Sequence, residues 1–441
     1  MNHIYFISKL GSKTIFIIIF LIIVALIIDT SIIKLARFSA DQSSNSSITI
    51  FTTLVVIYAV GQYLILEFVK RKINEIKASG RLHLDVIHKV VSTIQYAAIA
   101  ILVFIILEMT VTSSYNIFLI EALFWINYVL SILLLGLLAQ RFFSWFKSGR
   151  NTVVLAYALA MSLLSINAGF TLLYVTSELR YWDIYISSHH RLEDFGSADT
   201  IFNSTYIVTS FLSFILTWVA TVLLLHHYSI KLGKIIYWII VSMPLVYFLS
   251  QFQPLILDLF ATYRVSEPVL FGIIYTLIIS GSKPAGGVLF GIAFWSIARG
   301  VKRSAVKDYM IISAYGIMLL FTSNQATVLI TAPYPPFGLA TISFMGLSSY
   351  LILVGIYSSA VSVAQDLELR KLIRKYTRRE SKLLDSIVSA EMEKEIQNRV
   401  MKIVDEQSFK MKEETGVQSS LNEEDIKEYL VKVLSETKRD S

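Results

Sequence analysis

The chain has 441 residues, of which 55% are hydrophobic and only 16% charged, and its mean hydropathy is +0.63. A soluble globular chain carries roughly 25% charged residues, so this composition excludes an ordinary soluble domain and points to a membrane protein. It contains no cysteine, which excludes disulfides, thiolate metal sites, iron–sulfur ligation and thiol catalysis. The net charge of +7 sits mainly in short loops beside apolar segments, where it orients helices. It forms no basic, aromatic-interleaved stripe, so nucleic acid is not an expected partner.

The apolar residues fall in blocks of about 20, the length a helix needs to cross roughly 30 Å of hydrocarbon. The first block, Thr14 to Ile33, follows Lys9 and Lys13. A small-x-small cleavage pattern is poor there, because Phe38 stands two places before Ala40. The block therefore reads as a signal-anchor helix rather than a cleaved signal. The polar linker ADQSSNSS leads into segment two, Ile48 to Val69, and then into the basic stretch of Lys70, Arg71, Lys72, Lys77 and Arg81. Segment three is Val90 to Thr112, and segment four is Ile117 to Ala139, followed by Arg141, Lys147 and Arg150. Segment five is Thr152 to Val175. A polar loop runs from there to Thr200, and segment six is Ile201 to Leu225, followed by His226, His227, Lys231 and Lys234. Segment seven, Ile235 to Leu259, carries Pro244 and Pro254, which are expected to kink it.

Lys and Arg concentrate after segments two, four and six. The positive-inside rule puts those loops, and the amino terminus, in the cytoplasm. The Thr176–Thr200 loop then faces outward. Its His189 and His190 stand beside Glu193 and Asp194, but without helical H-x-x-x-H spacing. They read as a solvated loop rather than a metal site.

From Pro268 to Ala298 the chain is largely apolar, and as one helix it would run roughly 46 Å. Its middle, SGSKPAGG from Ser280 to Gly287, concentrates three glycines, a proline and a lysine. Local propensity alone predicts an interruption there. A hairpin would put Arg299, Lys302, Arg303 and Lys307 outside, so one discontinuous span with an unwound centre is preferred over a re-entrant pair or a long tilted helix. Segment nine, Asp308 to Ile330, precedes the proline-rich turn TAPYPPFG, and segment ten is Leu339 to Val361. The expected fold is an all-α polytopic transmembrane bundle of about ten spans, one of them discontinuous, over residues 1–362. It is joined to a cytoplasmic helical tail over residues 363–441, with both termini cytoplasmic and the cell membrane as the setting.

Within the tail, a long amphipathic helix is expected over about 364–411, on the spacing of Leu369, Ile373, Tyr376, Leu383 and Ile387, then Met392, Ile396, Val400 and Ile403. Arg370, Lys371, Arg374, Lys375, Arg378 and Arg379 could touch anionic lipid head groups, or could simply complete the positive-inside signal. Gly416 breaks this helix. A short helix over about 422–436 starts at the N-cap Asn422 and presents Ile426, Tyr429, Leu430 and Val433. That stripe is too short to fold alone and needs the long helix, a second subunit or a partner protein.

A ligand or ion pathway around Ser280, Ser282, Lys283, Gln253 and Asn324 is the strongest candidate site, because intramembrane ionisable groups and interrupted helices often line substrate paths. The competing reading is a structural kink with Lys283 snorkelling to an interface. Asn127, Asn167 and Gln253 more often join helices than bind ligands. No catalytic motif, nucleotide loop or cofactor signature is found. The composition supports two classes: a sensor, signalling or scaffold module acting through the tail, or a secondary transporter or channel using residues 280–287.

The stretches QFQPLILDLF, SEPVLFGIIYTLIISGSKPAGGVLFGIAFW and SNQATVLITAPYPPFGLATISFMGLSSYLILVGIYSSA, with ESKLLDSI and EETGVQ in the tail, are distinctive. They resemble a group of uncharacterised multi-pass membrane proteins that occur as paralogues in ammonia-oxidising archaea. The resemblance covers roughly the second half of the chain. It implies a lineage and a surface-membrane setting, and it carries over no functional residue.

Overall fold

A computed structural model describes residues 12–36, 44–75, 78–180, 184–187, 200–226, 229–230, 233–252, 258–300, 305–331, 334–365 and 382–415. Its helices are α1 (Ser12–Ala36), α2 (Ser44–Asn74), α3 (Ala78–Thr112), α4 (Ile117–Gly149), α5 (Thr152–Leu179) and α6 (Thr200–Leu225). They continue with α7 (Lys234–Ser242), α8 (Ala261–Ser266), α9 (Pro268–Gly300), α10 (Ala305–Ser323), α11 (Leu339–Gln365) and α12 (Lys382–Thr415). Two 3-10 helices, Met243–Phe252 and Ala326–Thr331, and a two-stranded antiparallel sheet, β1 (Ser114–Asn116) with β2 (Tyr185–Ser187), complete the described elements. Among the described residues, seven helices are long and apolar enough to cross a membrane, and Ile17–Ile32 and Lys234–Phe248 form shorter apolar helices.

These elements make a ring in chain order around a central pair. The ring runs α1, α2, α3, α4, α5, α6, the first 3-10 helix and α9, which closes onto α1. At its centre lie α10 and α11, whose apolar windows are wholly buried. Neither central helix has a polar face, as expected of helices buried all round. In lipid there is little hydrophobic drive between helices, so close approach of small residues must hold them together. Gly355 on α11 faces the carbonyl of Tyr309 and the amide of Ser313 on α10, and Gly316 on α10 faces Ile352 on α11.

The contacts sort the bundle into two ends. At one end, Lys72 at the close of α2 pairs with Asp308 at the start of α10 at 2.8 Å. The Tyr309 hydroxyl donates to the Lys72 carbonyl there, at 2.9 Å. At the opposite end, β1 pairs with β2 in the register Tyr115 to Ile186, and the Tyr115 ring stacks on Tyr334.

The expected interruption of the eighth segment is not found, and this corrects the sequence reading. α9 runs unbroken from Pro268 to Gly300 with Pro284 inside it. Its glycines serve packing. A side chain at Gly286 would strike Phe214, one at Gly287 would strike Phe321 and crowd the Met318 carbonyl, and one at Gly291 would strike Met318 and the Ala314 carbonyl. Each glycine costs roughly 1 kcal/mol of helix propensity, and the close approach of α6 and α10 offsets it. The irregular backbone lies instead in segment seven. There α7 stops at Ser242, and a 3-10 helix takes over at Met243, one residue before Pro244. The helix therefore changes type beside Pro244, where a kink is expected, while Pro254 lies outside the described residues.

Other limits also move. α2 carries Lys70, Arg71 and Lys72 inside its last turns, and α4 extends through Arg141 and Lys147 to Gly149. In the tail region, α11 ends at Gln365 and α12 spans Lys382–Thr415. The basic cluster from Arg370 to Arg379 and the stripe Ile426, Tyr429, Leu430 and Val433 lie outside the described residues.

Candidate functional site

Lys283 sits one residue before Pro284 in α9, and it does not snorkel. It is 6% exposed, and its Nζ donates to the backbone carbonyl of Asn324 at 2.6 Å. The same ammonium stands 5.6 Å from the centroid of the Tyr247 ring, on the first 3-10 helix. Asn324 directly follows the last residue of α10, and its own amide still bonds the Leu320 carbonyl at 2.9 Å. Lys283 thus meets the C-terminal end of a helix, where free carbonyls carry partial negative charge and favour a cation. Among the described residues no carboxylate pairs with it.

Polar groups lead away from the lysine. The Asn324 Nδ2 donates to Asn167 Oδ1 on α5 at 3.3 Å. The Asn167 Nδ2 donates to Thr209 Oγ1 on α6 at 3.1 Å. Next to Thr209, Ser210 shares a 3.0 Å hydrogen bond with the Tyr247 hydroxyl. The Asn324 Oδ1 is buried with no hydrogen-bond partner. Five elements, α5, α6, the first 3-10 helix, α9 and the end of α10, therefore converge on one buried cation, two carboxamides and several hydroxyls. Such a cluster can hold charge in the bundle interior.

The structure brings Lys283 and Asn324 together, as two members of the predicted pathway. Ser282 directly precedes Lys283 in the chain and is 7% exposed. Ser280 lies in α9, with its side chain outside the description, and Gln253 lies outside the described residues altogether. Asn167 joins helices as expected, but it also belongs to the cluster itself. Because the wild type has no cysteine, Ser282→Cys tests burial cleanly. Membrane-impermeant thiol reagents applied to either side are expected to leave it unlabelled. Rapid labelling from one side would show a water path to Lys283.

A second polar ladder was not anticipated as a unit. On α2 and α3, Gln62 Nε2 donates to Gln95 Oε1 at 2.7 Å, and Gln95 Nε2 donates to Asn127 Oδ1 on α4 at 3.0 Å. Gly346 of α11 packs directly over it. Buried amides that bond one another in this way join helices in a membrane. Asp29 of α1 was also missed. It is fully buried and accepts from the Gly338 and Thr341 amides and the Thr341 hydroxyl. A lone carboxylate in an otherwise apolar block was the available signal.

The tail helix α12 lies against α4, α5 and α11. The Trp145 Nε1 donates to Glu391 Oε2 at 3.0 Å, and Asn151 Nδ2 donates to Ser386 Oγ at 2.7 Å. On α12 itself Leu383, Ile387, Val388 and Ala390 are buried. The elbow between α4 and α5 is well formed locally, with Arg150 in the left-handed conformation and Asn151 capping α5 through the Val153 amide.

In comparisons with protein-family models, with curated proteins and with solved structures, the chain matches none.

Proposed function

We propose that this multi-pass membrane protein is a sensor, signalling or scaffold module that acts through its C-terminal helix. The observation that carries the reading is the seat of α12 on the α4–α5 elbow, made by the Asn151–Ser386 and Trp145–Glu391 bonds. On this reading the chain crosses about ten times: the long apolar helices, the two shorter ones and α9 each make one crossing. The end holding Lys72, Asp308 and the elbow faces the cytoplasm, in line with the basic residues there. α5 is one unbroken helix that bears Asn151 at its cap and Asn167 beside the Lys283 cluster. It joins the buried charge to the docked helix.

The double variant Gly149→Cys with Ser386→Cys tests this directly. A Cβ at Gly149 would lie 3.7 Å from the Ser386 Cβ, close to the separation of about 3.8 Å in disulfides. Under mild oxidation the pair is expected to close almost completely, read as a mobility shift on a non-reducing gel. Adding Lys283→Met should change the closure rate about threefold or more, if the cluster biases the docked helix. Failure to close would remove the docked helix. Closure at a rate indifferent to Lys283 would leave a scaffold and remove the sensor.

A second reading, transport of a small anion, is favoured by one observation: a buried lysine that no carboxylate pairs among the described residues. Solute flux through proteoliposomes by a chain ending near Leu367 would support transport over signalling.

A further inference from the structure

The change from α7 to a 3-10 helix has a consequence on the flank of the bundle. α7 is tied to α6, where Trp218 Nε1 donates to the Val241 carbonyl at 2.7 Å and the Tyr237 hydroxyl donates to the Val222 carbonyl at 3.1 Å. From Met243 the 3-10 helix packs on α9, with Pro244 against Gly286. Between these two fixings α7 stands off from α9, and the gap is a cavity of about 440 Å³. That is within the range of small-molecule sites.

The lining is graded. Leu225, Ile240, Val241, Leu289 and Ile292 make the body apolar, whereas Tyr237, Ser296 and Arg299 bring polar atoms. From Leu289 to Arg299 the cavity follows α9 for about 15 Å, the depth of hydrocarbon in one leaflet. Arg299 is exposed at the last turn of α9, and its guanidinium lies 5.4 Å over the Trp295 ring. No carboxylate pairs with it among the described residues. The outer face of α7 is left open, with Ile235 and Ile239 exposed.

We propose that this cavity is a binding site for an anionic membrane lipid, one hydrocarbon chain filling the space between α7 and α9 and the head group resting on Arg299. The apolar length fits a chain within its own leaflet. The Arg299 guanidinium, held over the Trp295 ring at head-group depth, selects the charge. The site lies on the opposite side of the first 3-10 helix from Lys283 along α9, and it does not depend on how the tail acts.

Trp295 lines the cavity and reports on its contents. Purified protein is placed in phosphatidylcholine vesicles with a minor fraction of either phosphatidylglycerol or phosphatidylcholine brominated on the acyl chains. The quench assigned to Trp295 is the difference between the wild type and Trp295→Phe. Brominated phosphatidylglycerol is expected to quench it with about fivefold higher apparent affinity than brominated phosphatidylcholine. Arg299→Gln should remove that preference, and Arg299→Lys should restore part of it. Equal quenching by the two lipids would overturn head-group selection. No Trp295-dependent quenching, or quenching by a brominated free fatty acid but by neither phospholipid, would overturn the lipid assignment. Arg299 is exposed, so loss of folding in Arg299→Gln is not expected, and a size-exclusion profile checks it.

Discussion

Gly355→Ala is expected to destabilise the bundle by about 3 kcal/mol, at the upper end of what overpacking costs. The new methyl would lie 2.5 Å from the Tyr309 carbonyl oxygen and 2.7 Å from the Ser313 amide nitrogen, and it would also overlap the Ser313 hydroxyl. Two of these three obstacles are backbone atoms of α10, which cannot rotate away. α10 and α11 would have to separate, and they form the wholly buried centre of the ring. Gly281→Ala is the control. Nothing lies within 4 Å of its would-be Cβ, so it should be neutral or gain up to about 1 kcal/mol of helix propensity. Thermal unfolding in detergent measures both. Equal midpoints for the two variants would show that α10 and α11 are not in van der Waals contact along this seam.

The same contrast explains what the sequence could and could not disclose. Apolar blocks and the placement of Lys and Arg reveal the helices, because length and charge are local properties that lipid acts on directly. The change of helix type beside Pro244 is legible for the same reason: proline lacks the amide that continues a helix. Pro284 is chemically identical, yet α9 passes through it. What differs is the company of Phe214, Met318 and Phe321 across the interface, residues remote in the chain that need glycine opposite them. A propensity scale sees three glycines as a break, whereas packing makes them a contact surface.

The candidate site divides in the same way. Lys283 and Asn324 both stand out as polar residues in apolar segments, and they prove to be partners at 2.6 Å. Nothing in the spacing signals that the acceptor is a backbone carbonyl, released because α10 ends there. Thr209 and Ser210 were unremarked, since hydroxyls are common in membrane helices and usually bond their own preceding turn. Thr209 does bond the Thr205 carbonyl at 2.8 Å while also receiving Asn167.

Asp29→Ala is the other substitution with a large expected effect. α11 begins at Leu339, and the residue at its cap is Gly338, with φ at +86°. A side chain there would run into Val328 at 2.8 Å, so the cap position must be glycine and can offer no side-chain oxygen of its own. Asp29 supplies the missing acceptor from α1. Its Oδ1 takes the Gly338 amide at 2.9 Å, and its Oδ2 takes the Thr341 amide at 3.1 Å and the Thr341 hydroxyl at 2.7 Å. Both oxygens also face the positive end of the α11 dipole. Alanine would leave the Gly338 and Thr341 amides without partners, while the Thr341 hydroxyl would keep the Leu26 carbonyl at 3.2 Å, and each buried unpaired donor costs roughly 1–3 kcal/mol. A loss of about 4 kcal/mol is expected, read as a fall of several degrees or more in the unfolding midpoint. Asp29→Asn should fall between, because one oxygen can still accept while the new amide must face a donor. Thr341→Val removes a single donor and should cost about 1 kcal/mol. The order alanine, asparagine, then Thr341→Val follows from counting acceptors. If Asp29→Ala melted no lower than Thr341→Val, α1 would not be the helix that caps α11.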